Sequence, residues 1–275
     1  MLPFGASAAA QAYAGPKFSV MLWTLPKGLT FEQQIQMVAD AGFTGAEVGN
    51  EYEKWTPEEW KRNVAKLHAT GITIDSAVPG RNALSDHTKR DKLKADLLAA
   101  MPRLKDLGCK QFIYTAYTRV EGQTHDQMVA AVADSLKFAA DIVAKDDIEI
   151  VLEPIDLLEY KLESVPSVTD AFEITRLVNN PKVKVLYDIY HEQKQAGNII
   201  EKFTKNIDQV GLVHIADVPG RHQPGTGELN YTNIYRELAR LKYDRVICME
   251  FMSQGDVVST LRKAREEAVA AMKSV

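Results

Sequence analysis

Eight short β-rich runs, each parted from the next by a longer stretch with helical spacing, constrain this chain more than any other feature. The runs are "FSVMLWTL" (18–25), "GAEVG" (45–49), "ITIDSAV" (72–78), "CKQFIYTA" (109–116), "IEIVLEPI" (148–155), "VKVLYDIY" (183–190), "VGLVHIADV" (210–218) and "RVICMEFM" (245–252). Their starts lie 27 to 39 residues apart, the length of one strand–helix unit. Several are continuously apolar, as strands are when both faces of their sheet are covered. The intervening segments carry helix punctuation. "TFEQQIQMVADAG" puts Phe31, Ile35 and Val38 on one face, opens with Thr30 as N-cap and closes at Gly42. "TPEEWKRNVAKLHATG" has Thr56 as N-cap, Pro57 at the first helical position, acids in the first turn and Gly71 at its end. "SVTDAFEITRLVNN", "NYTNIYRELARL" and the closing "DVVSTLRKAREEAVAAMKSV" repeat the design.

Alternating strands and helices predict a parallel sheet. Eight units in about 260 residues predict an α/β fold of the closed (β/α)8 TIM-barrel type, with eight parallel strands inside a ring of eight helices. The alternative, a doubly wound open sheet, usually carries a Gly-rich first turn, and "TLPKGLTF" has no GxGxxG. No low-complexity tract or linker follows residue 16, so residues 17–275 read as a single domain. Residues 1–16, beginning "MLPFGASAAAQAYAG", read as a leader, or as the end of an export signal lacking its positive n-region. The expected location is accordingly cytoplasmic, or periplasmic in the second case.

Composition narrows the partners. Hydrophobic residues make up 45% of the chain, enough for a sizeable core. A net charge of −4 gives no basic face for nucleic acid, so none is expected. No apolar run approaches the ~18 residues of a membrane span, and no membrane partner is expected. A small-molecule substrate is the partner expected; the sequence leaves homo-oligomerisation open. Cys109 and Cys248 sit far apart in apolar runs and read as core residues rather than a disulfide or metal pair.

In such a barrel the chemistry gathers at the C-terminal ends of the strands. The fifth run places Glu153 before Pro154, which disfavours helix at the glutamate. The sixth gives Asp188 and, three residues on, His191; the seventh carries His214, with Asp217 three further; the eighth carries Glu250. Any one of these alone has an ordinary structural explanation. Four on successive strands are costly unless paired or bound to a cation. Three carboxylates with one imidazole suit Mn2+, Mg2+, Co2+ or Zn2+. Glu47, ending the second run, is a fifth candidate for the mouth, against the alternative of a structural ion pair. Within "VHIADVPGRHQPGTGELNY" (213–231), Arg221 is suited to fork around substrate oxygens, unless it is a surface arginine. Gly220, Gly225 and Gly227 suit a loop that folds over a site, and Asp217 reads as a support for that loop. Trp23, Tyr187 and Tyr190 offer an apolar wall, although aromatics at such places more often serve the core.

"DAGFTGAEV", "LEPI", "LYDIYH", "HIADVPGRHQPGTGELNY" and "MEF" together resemble the xylose-isomerase-like TIM-barrel superfamily, and within it the hydroxypyruvate isomerases and related sugar isomerases. The resemblance spans nearly the whole chain from Lys17. It implies one divalent metal held by Glu153, Asp188, His214 and Glu250, and substrate contacts from His191 and Arg221; Glu47 and Trp23 join them as substrate-binding candidates. Glu153 and Glu250 would share acid–base work through a cis-enediolate, as in an isomerase acting in carbohydrate metabolism. Two features depart from the hydroxypyruvate enzymes: His214 stands where they often have glutamine, and "VPGRNALSDHTK" lacks their Gly-Glu-Arg-Gly pattern. A ketose 3-epimerase or a sugar dehydratase would use the same metal site. An endonuclease IV-like DNA-repair enzyme fits less well, because three zinc ions need more ligands than six histidines in a net acidic chain readily supply. A non-catalytic sugar-binding barrel is the last alternative.

Overall fold

The computed structural model describes residues 14–275. The leader reading of residues 1–16 therefore lies, but for its last three residues, outside the described residues. The expected barrel forms. Strands β1 (Lys17–Met21), β2 (Gly45–Val48), β3 (Thr73–Ala77), β4 (Gln111–Thr115), β5 (Glu149–Glu153), β6 (Val183–Asp188), β7 (Val210–Ile215) and β8 (Val246–Met249) pair in chain order, and β8 closes on β1. The pairings are parallel, and closure leaves no exposed edge.

Helices α1 (Phe31–Asp40), α2 (Pro57–Thr70), α3 (Arg90–Asp106), α4 (His125–Val143), α5 (Val168–Val178), α6 (Ile189–Gln195), α7 (Ile199–Asn206), α8 (Tyr231–Arg240) and α9 (Val257–Lys273) form the outer layer. Among the described residues these are nine α-helices, not the eight expected. The extra one arises between β6 and β7, where Gly197 and Asn198 adopt φ of 62° and 57° and split one connection into α6 and α7. Thr30 and Thr56 cap α1 and α2 as expected, each in a reciprocal box with Gln33 or Glu59.

Two strand ends differ from the sequence reading, and both matter for the site. The first run stops at Met21, and the chain turns through one 3-10 turn at Leu22–Thr24, which carries Trp23 away from the strand. The sixth stops at Asp188, because its carboxylate Oδ1 accepts hydrogen bonds from the N–H groups of Tyr190 (2.7 Å) and His191 (3.2 Å) and so starts α6. His191 is consequently a helix residue aimed from the first turn of α6.

Side chains alternate across a strand, so every second residue points into the barrel. Val151, Leu186, Leu212 and Cys248 belong, with Met21 and Ile113, to a small buried apolar cluster distinct from the main core. Two residues further along the same four strands stand Glu153, Asp188, His214 and Glu250. An apolar floor thus lies directly beneath a charged layer. The main core fills the space between strands and helices, and Cys109 and Cys248 are buried free thiols, as expected.

Candidate active site and metal centre

Each of Glu153, Asp188, His214 and Glu250 is at least nine-tenths buried. One donor atom from each lies within 4.8 Å of the others. The backbone register makes this so: Asp188 and His214 are direct partners across β6 and β7. The capping bonds on Asp188 Oδ1 leave its Oδ2 for the cluster.

His214 lies between two carboxylates. Its Nδ1 is 2.8 Å from Glu250 Oε2 and 3.9 Å from Glu153 Oε1, while Nε2 is 3.0 Å from Glu47 Oε2. Nδ1 is therefore the nitrogen that faces the cluster. Burial opposes a proton on this ring, but the charges of Glu250 and then Glu47 outweigh it and raise His214 well above the usual histidine range. A cation at Nδ1 would satisfy the same field. Burial, and next the charge of Glu250, push the Glu153 carboxyl up to about 7, a sign that the cluster is short of positive charge. Burial acts the same way on Glu250, yet Arg221 and His214 hold it well below the usual carboxylate range. Charge, donor chemistry and convergence all fit a divalent ion.

Glu153 and Glu250 also line a cavity of about 360 Å³, with His191, Arg221 and Trp23. Arg221 is buried, not a surface arginine. Its Nη2 donates to Glu250 Oε2 (2.7 Å) and Asp188 Oδ2 (3.3 Å), and its guanidinium lies 5.2 Å from the Trp23 ring centre and 4.9 Å from that of Tyr190. Trp23 also donates from Nε1 to Glu250 Oε1 (3.1 Å). His191 presents Nε2 toward Asp188 Oδ2 at 3.6 Å, with Nδ1 fixed 2.6 Å from Asp156 Oδ2.

The profile of the Xylose isomerase-like TIM barrel family matches residues 35–275. The chain belongs to that family. Hydroxypyruvate isomerase of Escherichia coli (strain K12) is 27% identical over 251 residues, which cover 90% of this chain and 97% of the relative. The 2-oxo-tetronate isomerase of Cupriavidus necator is 32% identical over 253 residues, covering 86% and 92%. These names support an isomerase, the activity expected from the sequence. A solved structure, an AP endonuclease of family 2 from Brucella melitensis, superposes with a TM-score of 0.81 at 24% identity, covering 90% of this chain and 96% of that one. At that identity it speaks for the fold.

Within this family architecture, two residues read as wall or substrate contacts fall elsewhere. Glu47 is fully buried, accepts from Ser19 Oγ (3.0 Å) and stands behind His214, away from the cavity. An inward side chain this low on β2 reaches the histidine and not the mouth. Tyr187 points outward from β6, packs on Phe172 and Phe203, and donates to the Ile199 carbonyl. Tyr190, by contrast, is in the site against Arg221.

The loop after β7 is built on Asp217. Its two carboxylate oxygens accept from the N–H groups of Val218, Gly225, Gly227 and Leu229 at 2.9 to 3.1 Å, the supporting role expected of it. Gly225 has φ of 87°, whereas Gly227 is needed for closeness: a Cβ there would meet the Val218 carbonyl oxygen at 2.0 Å. Arg221 itself adopts φ of 56°, a conformation most residues avoid, so the loop holds it under strain.

Sequence reasoning missed Asp156 and Glu163. Asp156 had a signal, being an acid two residues past the Glu-Pro step at the end of β5. Glu163 had none, because its burial comes from the packing of the β5–α5 loop against the loop after β4.

Proposed function

We propose that this protein is a metal-dependent isomerase of a small hydroxy-carbonyl compound, of the hydroxypyruvate or 2-oxo-tetronate class. The observation that carries the reading is the convergence of Glu153, Asp188, His214 and Glu250 to within 4.8 Å beside a cavity that Glu153 and Glu250 also line. The names of the curated relatives support it.

A divalent ion held by those four residues would supply Lewis-acid stabilisation of charge on the substrate oxygens. The protein's own residues divide the remaining work. Glu250 is restrained by Trp23, His214 and Arg221, whereas no side chain donates a short hydrogen bond to Glu153 among the described residues. Glu153 is therefore the freer base, and it takes the proton from the carbon next to the carbonyl to leave an enediolate. The same Glu153 carboxyl then returns the proton to the neighbouring carbon. Glu250, which Arg221 and His214 keep ionised, has no proton of its own to give and serves instead as one of the carboxylates that would hold the ion. The hydroxyl proton passes between the two substrate oxygens, and His191, its ring fixed by Asp156, is oriented to carry it through Nε2. Arg221 anchors the substrate beside Trp23 and Tyr190.

The test is turnover of hydroxypyruvate and 2-oxo-tetronate in D2O by Mn2+-loaded protein, followed by NMR. Carbonyl transfer with deuterium incorporation is expected, and Glu153→Gln should abolish both. Inversion at one carbon without carbonyl transfer would replace isomerase by epimerase. Loss of water from the substrate would make the enzyme a dehydratase.

A further inference from the structure

Glu163 is a buried acid beside the candidate site with an oxygen left over. It is 2% exposed and lines the same cavity as Glu153 and His191, yet its Oε1 has no hydrogen-bond partner among the described residues. Leaving a buried polar atom unpaired costs stability, so such an atom at a cavity wall points to a ligand group that completes it. The residue is not loosely placed. Its N–H donates to the Tyr160 carbonyl (3.0 Å), and the neighbouring Ser164 donates from N to Ala116 O (2.9 Å) and from Oγ to Thr118 O (2.7 Å). On the other side, Arg119 N donates to Leu162 O (2.8 Å). Two loops thus lock the backbone on both flanks, the preorganisation expected of a recognition group.

A lone acceptor oxygen matches an O–H donor. Burial, and next the charge of Glu153, push the Glu163 carboxyl up to about 8, with Arg81 and His191 as the facing cations. A carboxyl in that condition both accepts from and donates to a hydroxyl. A substrate carboxylate has a better partner in Arg81, which lines the cavity stacked 5.6 Å over Tyr117 and has no ion-pair partner among the described residues.

We propose that Glu163 is a specificity-determining residue that binds a substrate hydroxyl on the carbon beyond the reacting pair, so that the site favours a four-carbon or longer polyhydroxy chain over a three-carbon one. The inference rests on the isomerase reading for its substrate class. Hydroxypyruvate has no hydroxyl beyond the reacting carbons; 2-oxo-tetronate has one.

The experiment compares wild type, Glu163→Ala and Glu163→Gln, all loaded with Mn2+. One arm measures kcat/KM on 2-oxo-tetronate and hydroxypyruvate; the other measures calorimetric affinity for the non-reacting analogues 2,3,4-trihydroxybutanoate and glycerate. The four-carbon to three-carbon ratio should fall about tenfold in the alanine variant, with most of it restored by glutamine, which keeps an acceptor oxygen. Circular dichroism checks the fold, and Glu163→Met, of similar length without an acceptor, replaces alanine if that variant does not fold. An unchanged ratio, or no four-carbon preference in wild type, overturns the proposal. If wild type turns over neither substrate, the isomerase reading fails, and the analogue ratio still judges Glu163.

Discussion

Glu47 and His214 form a buried pair in which the carboxylate takes the ring nitrogen turned away from the proposed ligand cluster, at 3.0 Å. Ser19 fixes the other oxygen of Glu47. The pair sets which nitrogen of His214 is free and at what angle it faces Glu153, Asp188 and Glu250. A carboxylate behind a ligating histidine also raises the donor strength of the ring.

Glu47→Gln should therefore weaken divalent-metal binding by about tenfold to a hundredfold, although Glu47 is not in the ligand cluster. Calorimetric titration of metal-free protein with Mn2+ reads this directly. An unchanged affinity would mean that the pair serves only packing.

The loop after β7 should fail at Asp217 before it fails at Arg221. Asp217→Ala removes the buried acceptor that four partly buried loop N–H groups share and should cost about 3 kcal/mol in urea unfolding, together with weaker substrate binding because the loop carries Arg221. Gly227→Ala should weaken substrate binding likewise, through the clash with Val218. Arg221→Ala, by contrast, should weaken substrate binding with a smaller loss of stability. Equal stability losses for Asp217→Ala and Arg221→Ala would count against this order of roles.

The barrel and the proposed ligand cluster were legible because both follow from one-dimensional rules. Eight apolar runs at βα spacing specify the topology, and a period of two puts Glu153, Asp188, His214 and Glu250 above Val151, Leu186, Leu212 and Cys248. What stayed hidden depends on contacts that no period encodes. Asp188 ends its strand because its own carboxylate caps α6, which moved His191 onto a helix. Glu47 lies just before the mouth residues that follow β2, and Tyr187 shares β6 with Asp188, but depth and facing direction keep both out of the cavity. Glu163 is buried only because two loops meet.

Asp156 should act through His191. The short contact to Nδ1 fixes the ring's tautomer and points Nε2 to the site, while Leu158 and Glu159 N–H groups hold the carboxylate in place. Asp156→Asn should lower kcat at least tenfold with a much smaller change in KM, because the ring loses its orientation and not its contact area. Nitrogen NMR of the His191 ring should show the tautomer change. A loss confined to KM would assign Asp156 to binding instead.

Glu163 should leave a mark on stability as well as on specificity. Burial and the charge of Glu153 raise its carboxyl to about 8, opposed by His191 and Arg81, so the folded protein holds a proton that the unfolded chain has already released. Between the usual carboxylate range and about pH 8 the native state binds more protons than the unfolded state, and stability from this group falls as pH rises. Glu163→Gln does not titrate and escapes that loss. Its stability relative to wild type should therefore rise with pH across this window and level off above it, read by urea unfolding at about pH 5 through about pH 9. A difference that stays constant over the range would show that Glu163 is ionised at neutral pH, with its charge compensated by Arg81.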